Sequence, residues 1–178
     1  NIYFPVANDP NSPSAHLDKD PRFKDPWRSG KNYGYLYTSK GCVSRCTFCH
    51  RWDKGIRFIP VKKVMERLDE IIEEYNVGFL RVADENFGTN KRWLEEFCGE
   101  IKKRDILFHV GTRAKGVTPE TLKMLKEAGC TDVTYGNETG SEKMLEIMEK
   151  KVSIEDNYNA FKWAIESGMN SVVQLVCG

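Results

Sequence analysis

From residue 34 onward, apolar positions switch repeatedly between a short run and a three-to-four-residue step. Tyr35 to Thr38 reads as a short strand. From Pro60 to Tyr75, Val61, Val64, Leu68, Ile71 and Tyr75 recur at helical steps, and Pro60 suits a first helical position. Phe79 to Ala83 is the next strand. Asn90 to Lys103 is a helix with Trp93, Leu94, Phe97 and Ile101 on one face. Ile106 to Val110 is a strand. Thr118 caps a third helix, with Pro119 in its first turn and Gly129 closing it. Asp132 to Tyr135 is a fourth strand. Ser141 opens a helix carrying Met144, Leu145 and Met148, and Ser153 caps another that runs to Gly168. Ser171 to Val176 is a fifth strand.

Strands that alternate with helices in this way pair in parallel through crossover connections, which predicts an α/β fold. Two architectures satisfy the pattern, an open doubly wound sheet and a partial βα barrel. Polar, reactive residues fall directly after the strands: Cys42 to Cys49, then Asp84 and Glu85, then Arg113, then Asn137 and Glu138. Both architectures place ligands at that edge, and in barrels the chemistry sits on those loops. The expected fold is a partial TIM-like (β/α) barrel, truncated after about the fifth strand. Residues 1–33 hold five of the seven prolines and no sustained period, so they read as a lead-in linker before a core at residues 34–178. The sequence starts without Met and stops directly after an apolar strand, which predicts a fragment of a longer protein.

Composition narrows the class only a little. The 178 residues are 40% hydrophobic and 30% charged, with a net charge of +1, enough for one globular domain with a core. That charge implies no acidic polymer or membrane surface as partner, and there is no spanning-length apolar run or signal-peptide pattern. There is no basic stripe with interleaved aromatics, so nucleic acid is not indicated.

The cysteines change the picture. Six occur, but three crowd into residues 42–49 while Cys98, Cys130 and Cys177 are scattered. Small secreted disulfide scaffolds are denser in cysteine, and a cluster of this kind more often binds metal, which predicts a reducing cytoplasm. Cys42, Cys46 and Cys49 have the spacing C-x3-C-x2-C. Thiolates are the ligands of iron–sulfur clusters, and three on one short loop would leave one iron open to a substrate. The competing readings are a structural zinc site of these cysteines with His50, or buried small hydrophobes. Adjacent Cys49 and His50 are poorly spaced for one tetrahedral ion. Cys98 and Cys130 read as core, and burial is the commoner outcome for Cys177. His50 and His109 are too isolated to be acid–base groups, and Trp52 and Arg57 are expected to shape the cover of the loop.

At these residues the sequence resembles the radical S-adenosylmethionine (SAM) superfamily, whose signature is C-x3-C-x-aromatic-C, with Phe48 as the aromatic. The likeness runs from about Tyr35 to Gly178 through Asp84 to Phe87, Leu125 to Gly129 and Gly136 to Ser141. Its texture is most similar to the cobalamin-binding and methylthiotransferase-like branch. The resemblance implies a [4Fe-4S] cluster on the three cysteines, with SAM chelating the open iron. It implies that Asp84 or Glu85 receives the SAM amino group and that Glu138 holds the ribose hydroxyls, although a helix-start acid is the plainer role for Glu138. Arg113 has the forked donors to pair with the SAM carboxylate or an acidic substrate. Lys150 aligns with a basic position of the family and precedes Lys151, where relatives often carry glycine. Val172 to Val176 resembles the segment that packs against adenine.

The implied chemistry is one-electron cleavage of SAM to methionine and a 5′-deoxyadenosyl radical, which takes a hydrogen atom from a small-molecule substrate. A flavodoxin or ferredoxin would supply the electron, and a cobalamin domain would lie outside this sequence. The alternatives are a non-catalytic zinc- or iron–sulfur-binding module and an RNA-modifying methylthiotransferase.

Overall fold

A computed structural model describes residues 31–50 and 55–177. Twelve elements follow in order among them: β1 Asn32–Leu36, β2 Ser39–Lys40, β3 Arg57–Phe58, α1 Val61–Tyr75, β4 Val77–Val82, α2 Lys91–Ile101, β5 Leu107–Thr112, α3 Pro119–Glu127, β6 Cys130–Glu138, α4 Glu142–Ile147, α5 Ile154–Glu166 and β7 Asn170–Leu175. The helix starts follow the capping chemistry in the sequence. The Thr118 hydroxyl accepts from Thr121 N–H, and Ser153 and Asp156 cap α5 reciprocally. At α1, Pro60 occupies the cap position without a side-chain bond, one residue earlier than its expected place.

Strand limits differ by a few residues from the expected ones. The first strand begins at Asn32, inside the segment read as lead-in, and β6 extends from Cys130 to Glu138. Residues 1–30 of that segment and Trp52 lie outside the described residues.

The strand order β1-β4-β5-β6-β7, parallel throughout, decides between the two architectures. A doubly wound sheet reverses direction at a switch point. Here each crossover steps the same way, so the helices collect on one face and the other becomes the inside of a partial barrel. Leu36, Leu80, Val82, Phe108, Val110, Val133 and Tyr135 are buried on the helix side. There Trp93 stacks on Phe97, with centroids 5.2 Å apart, and Phe108 meets Phe97 edge-on. The residues between them in sequence point inward: Tyr35, Arg81, His109 and Asp132 share one row by strand register.

The short ribbon β2–β3 was not foreseen, since two residues per strand leave no period to detect. It pairs Ser39 with Phe58 and Lys40 with Arg57, closing the neck of the 41–56 loop that carries the three cysteines. Phe58 packs on Trp93, whose indole N–H donates to Ile59 O at 2.8 Å. The loop therefore leaves the barrel edge from a fixed base.

Candidate active site

Cys42, Cys46 and Cys49 are free thiols lining one cavity at the C-terminal edge of the parallel strands. Cys46 is the most deeply placed, 8% exposed. The loop is held locally by Cys49 N–H donating to Cys46 O at 3.2 Å and Ser44 N–H donating to Cys42 Sγ at 3.5 Å. It is held from across the barrel as well. Thr47 N–H donates to Met148 O at 3.0 Å, and Arg113 donates to Cys46 Sγ at 3.4 Å and to Lys150 O. Phe48 lies half-exposed beneath the Lys150 ammonium, 5.7 Å from ring centroid to nitrogen.

This donor set fits an iron–sulfur cluster. Burial, and then the neighbouring Cys46 and Cys42, raise the Cys49 thiol above its ordinary range, so the three sulfurs feel one another across the same space. Among the described residues no three ligand side chains close around a single point, as one zinc ion requires, and His50 does not line the cavity. A cubane takes each thiolate on a different iron, so its ligands stand farther apart than those of a single ion.

The segment after β4 works as a two-sided stitch. Asp84 accepts from Thr38 N–H at 2.7 Å, Thr38 Oγ1 at 2.6 Å and Ser39 Oγ at 2.7 Å, so both its oxygens are committed to the end of β1 and the start of β2. Buried Asn86 faces the other way, its Oδ1 accepting from Arg113 N–H at 3.3 Å after β5. Phe87 drops into the core against Trp93 and Phe97. Glu85, between the two, lines the cavity together with Asp84, but its oxygens are not taken up by the β1–β2 connection, and it contributes to raising the Cys49 thiol. Two neighbouring carboxylates thus have separate surroundings, which the sequence did not distinguish.

Thr38 and Ser39 are buried, so removing their shared acceptor leaves three donors unsatisfied. Asp84→Ala is expected to lower stability by about 2 kcal/mol and to reduce iron retention, because the loop's base loosens. Asp84→Asn, which keeps the shape and part of the acceptor, is expected to lose less. Urea midpoints and iron content measured on both variants check this, and equal, negligible losses would rule out the clasp.

Glu138 ends β6 at a register irregularity, with φ of 65°. Such a bulge re-aims a side chain, and here it delivers Glu138 Oε1 to the Lys150 ammonium at 2.6 Å. Both partners are nearly buried, at 12% and 7% side-chain exposure. Lys150 sits between two left-handed residues, Glu149 and Lys151. That turn points Lys150 back over the site, and it explains why glycine suits position 151. Gly136 leaves room for the ion pair: a Cβ there would lie 2.6 Å from Glu138 Oε1 and 3.1 Å from Lys150 Nζ, so the two charged ends would have to shift. The helix-start role does not apply to Glu138, because α4 begins at Glu142 behind its own cap, Ser141.

The remaining sequence candidates divide. Arg113 is engaged by Cys46 and by the Lys150 carbonyl. Cys98 and Cys130 are buried, as expected, and burial pushes the Cys98 thiol up to about 12. Cys177 is exposed rather than buried. Arg57 belongs to the β2–β3 ribbon. Of the 172–176 segment, Val172 and Gln174 align with the inward Thr134 and Gly136, and Gln174 lines the cavity. His109 is not isolated, since its Nδ1 meets Asp132 Oδ1 on the next strand. Arg81 also lines the cavity, and its only signal in the sequence is an inward parity shared with Tyr35 and His109.

The fold and site define a class: a parallel βα-barrel core whose first strand runs into a three-thiolate loop, with carboxylates at the ends of the following strands. The chain belongs to the Radical SAM superfamily, whose profile matches residues 36–178. It is 28% identical over 146 residues to the anaerobic magnesium-protoporphyrin IX monomethyl ester cyclase of Rubrivivax gelatinosus, covering 79% of this chain and 26% of that protein. It is 27% identical over 154 residues to the cytidylyl-2-hydroxyethylphosphonate methyltransferase of Streptomyces wedmorensis, covering 83% and 29%. Among solved structures it resembles the cobalamin-dependent SAM radical enzyme OxsB, with a TM-score of 0.71 and 27% identity over 80% of this chain and 23% of that one. The chain thus spans less than a third of each of these proteins. Family membership implies a [4Fe-4S] cluster and SAM. No helix among the described residues is long and apolar enough to cross a membrane.

Proposed function

We propose that this chain is the SAM-cleaving core of a cobalamin-dependent radical enzyme that modifies a small molecule. The observation that carries the proposal is the convergence of three thiols, Glu85, Arg113, Glu138 and Lys150 on one cavity at the strands' C-terminal edge. When bound, the cluster and SAM supply an electron and a 5′-deoxyadenosyl group that takes a hydrogen atom from the substrate.

The protein's own residues bind and orient. Cys42, Cys46 and Cys49 hold the cluster, and Arg113, by donating to Cys46 Sγ, stabilises negative charge on that ligand. Glu85 is the carboxylate for the SAM ammonium, since Asp84 is fully engaged elsewhere. Glu138 offers its second oxygen to the ribose hydroxyls, Lys150 holding the first. Lys150 also carries the charge for the SAM carboxylate. Phe48 shields the space between cluster loop and barrel. The likeness to OxsB supports cobalamin held by a domain outside this chain, and an external one-electron carrier supplies the reductant.

Anaerobic reconstitution with iron and sulfide, followed by dithionite and SAM, tests the proposal. An iron–sulfur absorption band together with 5′-deoxyadenosine is the expected result. A colourless, zinc-loaded protein that forms no deoxyadenosine would overturn it.

A further inference from the structure

Inside the partial barrel, one cation differs from the others. Lys150 is paired with Glu138, and Arg113 is spent on Cys46 and a carbonyl. Arg81, on β4, lines the same cavity and makes no hydrogen bond or ion pair with another described residue. Glu85 lines the same cavity and makes no ion pair with it, and the two other nearby carboxylates are occupied. Asp132, two strands away in the same row, is held by His109 through Oδ1 and by Thr131 Oγ1 at 2.8 Å through Oδ2. Asp84 is filled by its three donors from the β1–β2 connection.

Parity along the strands gives Arg81 its direction. Leu80 and Val82 are buried on the helix side, so Arg81 points into the barrel. It lies one layer below the strand-end residues that face the cysteine loop. The space above it is open: Gly111 follows His109 on the same face, and a Cβ added at Gly111 would meet nothing within 4 Å. Thr134 and Gln174 line the far wall. An aromatic floor formed by Tyr33, Tyr35 and Phe79 lies on the neighbouring strand positions. A guanidinium that lines a ligand cavity without a counter-ion among the described residues is suited to bidentate recognition of a planar or tetrahedral oxyanion.

We propose that Arg81 is the substrate anchor of this enzyme, binding a carboxylate or phosphoryl group that enters the barrel below SAM. The substrate is then an anionic small molecule, oriented by its charged end toward β4. This rests on the functional proposal above, because the cavity's other residues are those assigned to cluster and SAM.

The test uses the anaerobically reconstituted protein loaded with SAM, titrated calorimetrically with inorganic phosphate in one arm and acetate in the other. At least one anion is expected to bind, and Arg81→Gln is expected to weaken that binding about tenfold or more. Arg81→Lys, retaining charge without the fork, is expected to fall between the two. The arm showing the larger loss assigns the group as phosphoryl or carboxylate. SAM affinity, measured in parallel, is expected to move much less than anion affinity. Three results overturn the proposal: neither anion binds, anion binding is indifferent to Arg81, or SAM affinity falls in step, which would place Arg81 on the SAM carboxylate. Failure of the wild-type protein to bind iron or form deoxyadenosine would instead count against the functional proposal, so the two failures are separable.

Discussion

Replacing Cys46 by alanine is expected to remove the iron–sulfur absorption and SAM cleavage together. Cys46 is the middle cysteine of the three and the most buried, and its sulfur already receives the Arg113 guanidinium. Two thiolates on a loop that also loses this contact cannot retain a cubane that needs protein ligands on three corners. Iron content should fall from about four atoms per chain to near zero, with deoxyadenosine falling to background. Cys98→Ala is the matched control. That thiol lies in the core on α2, away from the cavity, so its loss should lower stability slightly and leave iron loading intact. Near-normal iron and deoxyadenosine in Cys46→Ala would falsify the cluster assignment.

Glu138 should show two separable effects. In Glu138→Ala the Lys150 ammonium, 7% exposed, loses its only ion-pair partner among the described residues. Breaking a buried pair on one side costs about 3–5 kcal/mol, and the openness of the cavity places the expected loss toward the lower end. Glu138→Gln keeps the shape and an acceptor for Lys150 but removes the charge. In that variant the SAM KM is expected to rise roughly 10- to 100-fold, the loss of a charged acceptor to ribose hydroxyls being worth about 1.5–3 kcal/mol. Iron content should stay at the wild-type level. Loss of iron in Glu138→Gln, with SAM KM unmoved, would make Glu138 a brace for the cluster loop and exclude the ribose role.

The contrast between Asp84 and Glu85 shows how far the sequence could be read. Both stand directly after β4, and their order and spacing marked the position as functional. Both line the cavity, and which of them keeps its oxygens free for a ligand depends on Thr38 and Ser39, some 46 residues earlier in the chain, which approach only when β1 and β4 pair. His109 gives the same lesson in reverse. It looked isolated because Asp132, 23 residues away, becomes its neighbour only through the register of β5 and β6. The β2–β3 ribbon was invisible for a third reason: two-residue strands carry no period, and their pairing follows from the loop being pinned at both ends.

The sequence alone determined the order of the five sheet strands and the helices, the parallel pairing of that sheet, most of the helix caps, and the cysteine loop with carboxylates at successive strand ends. These are encoded by local period and short spacing, where neighbours in the chain are neighbours in space. It left open whether the sheet was a barrel or doubly wound, and which polar side chains share the cavity. Strand order decided the first, because crossovers that all step one way gather the helices on one face and free the other. Long-range packing decided the second. A strand's alternation fixes two faces, but only the docked helices establish that Leu80 and Val82 face the core and Arg81 faces the site.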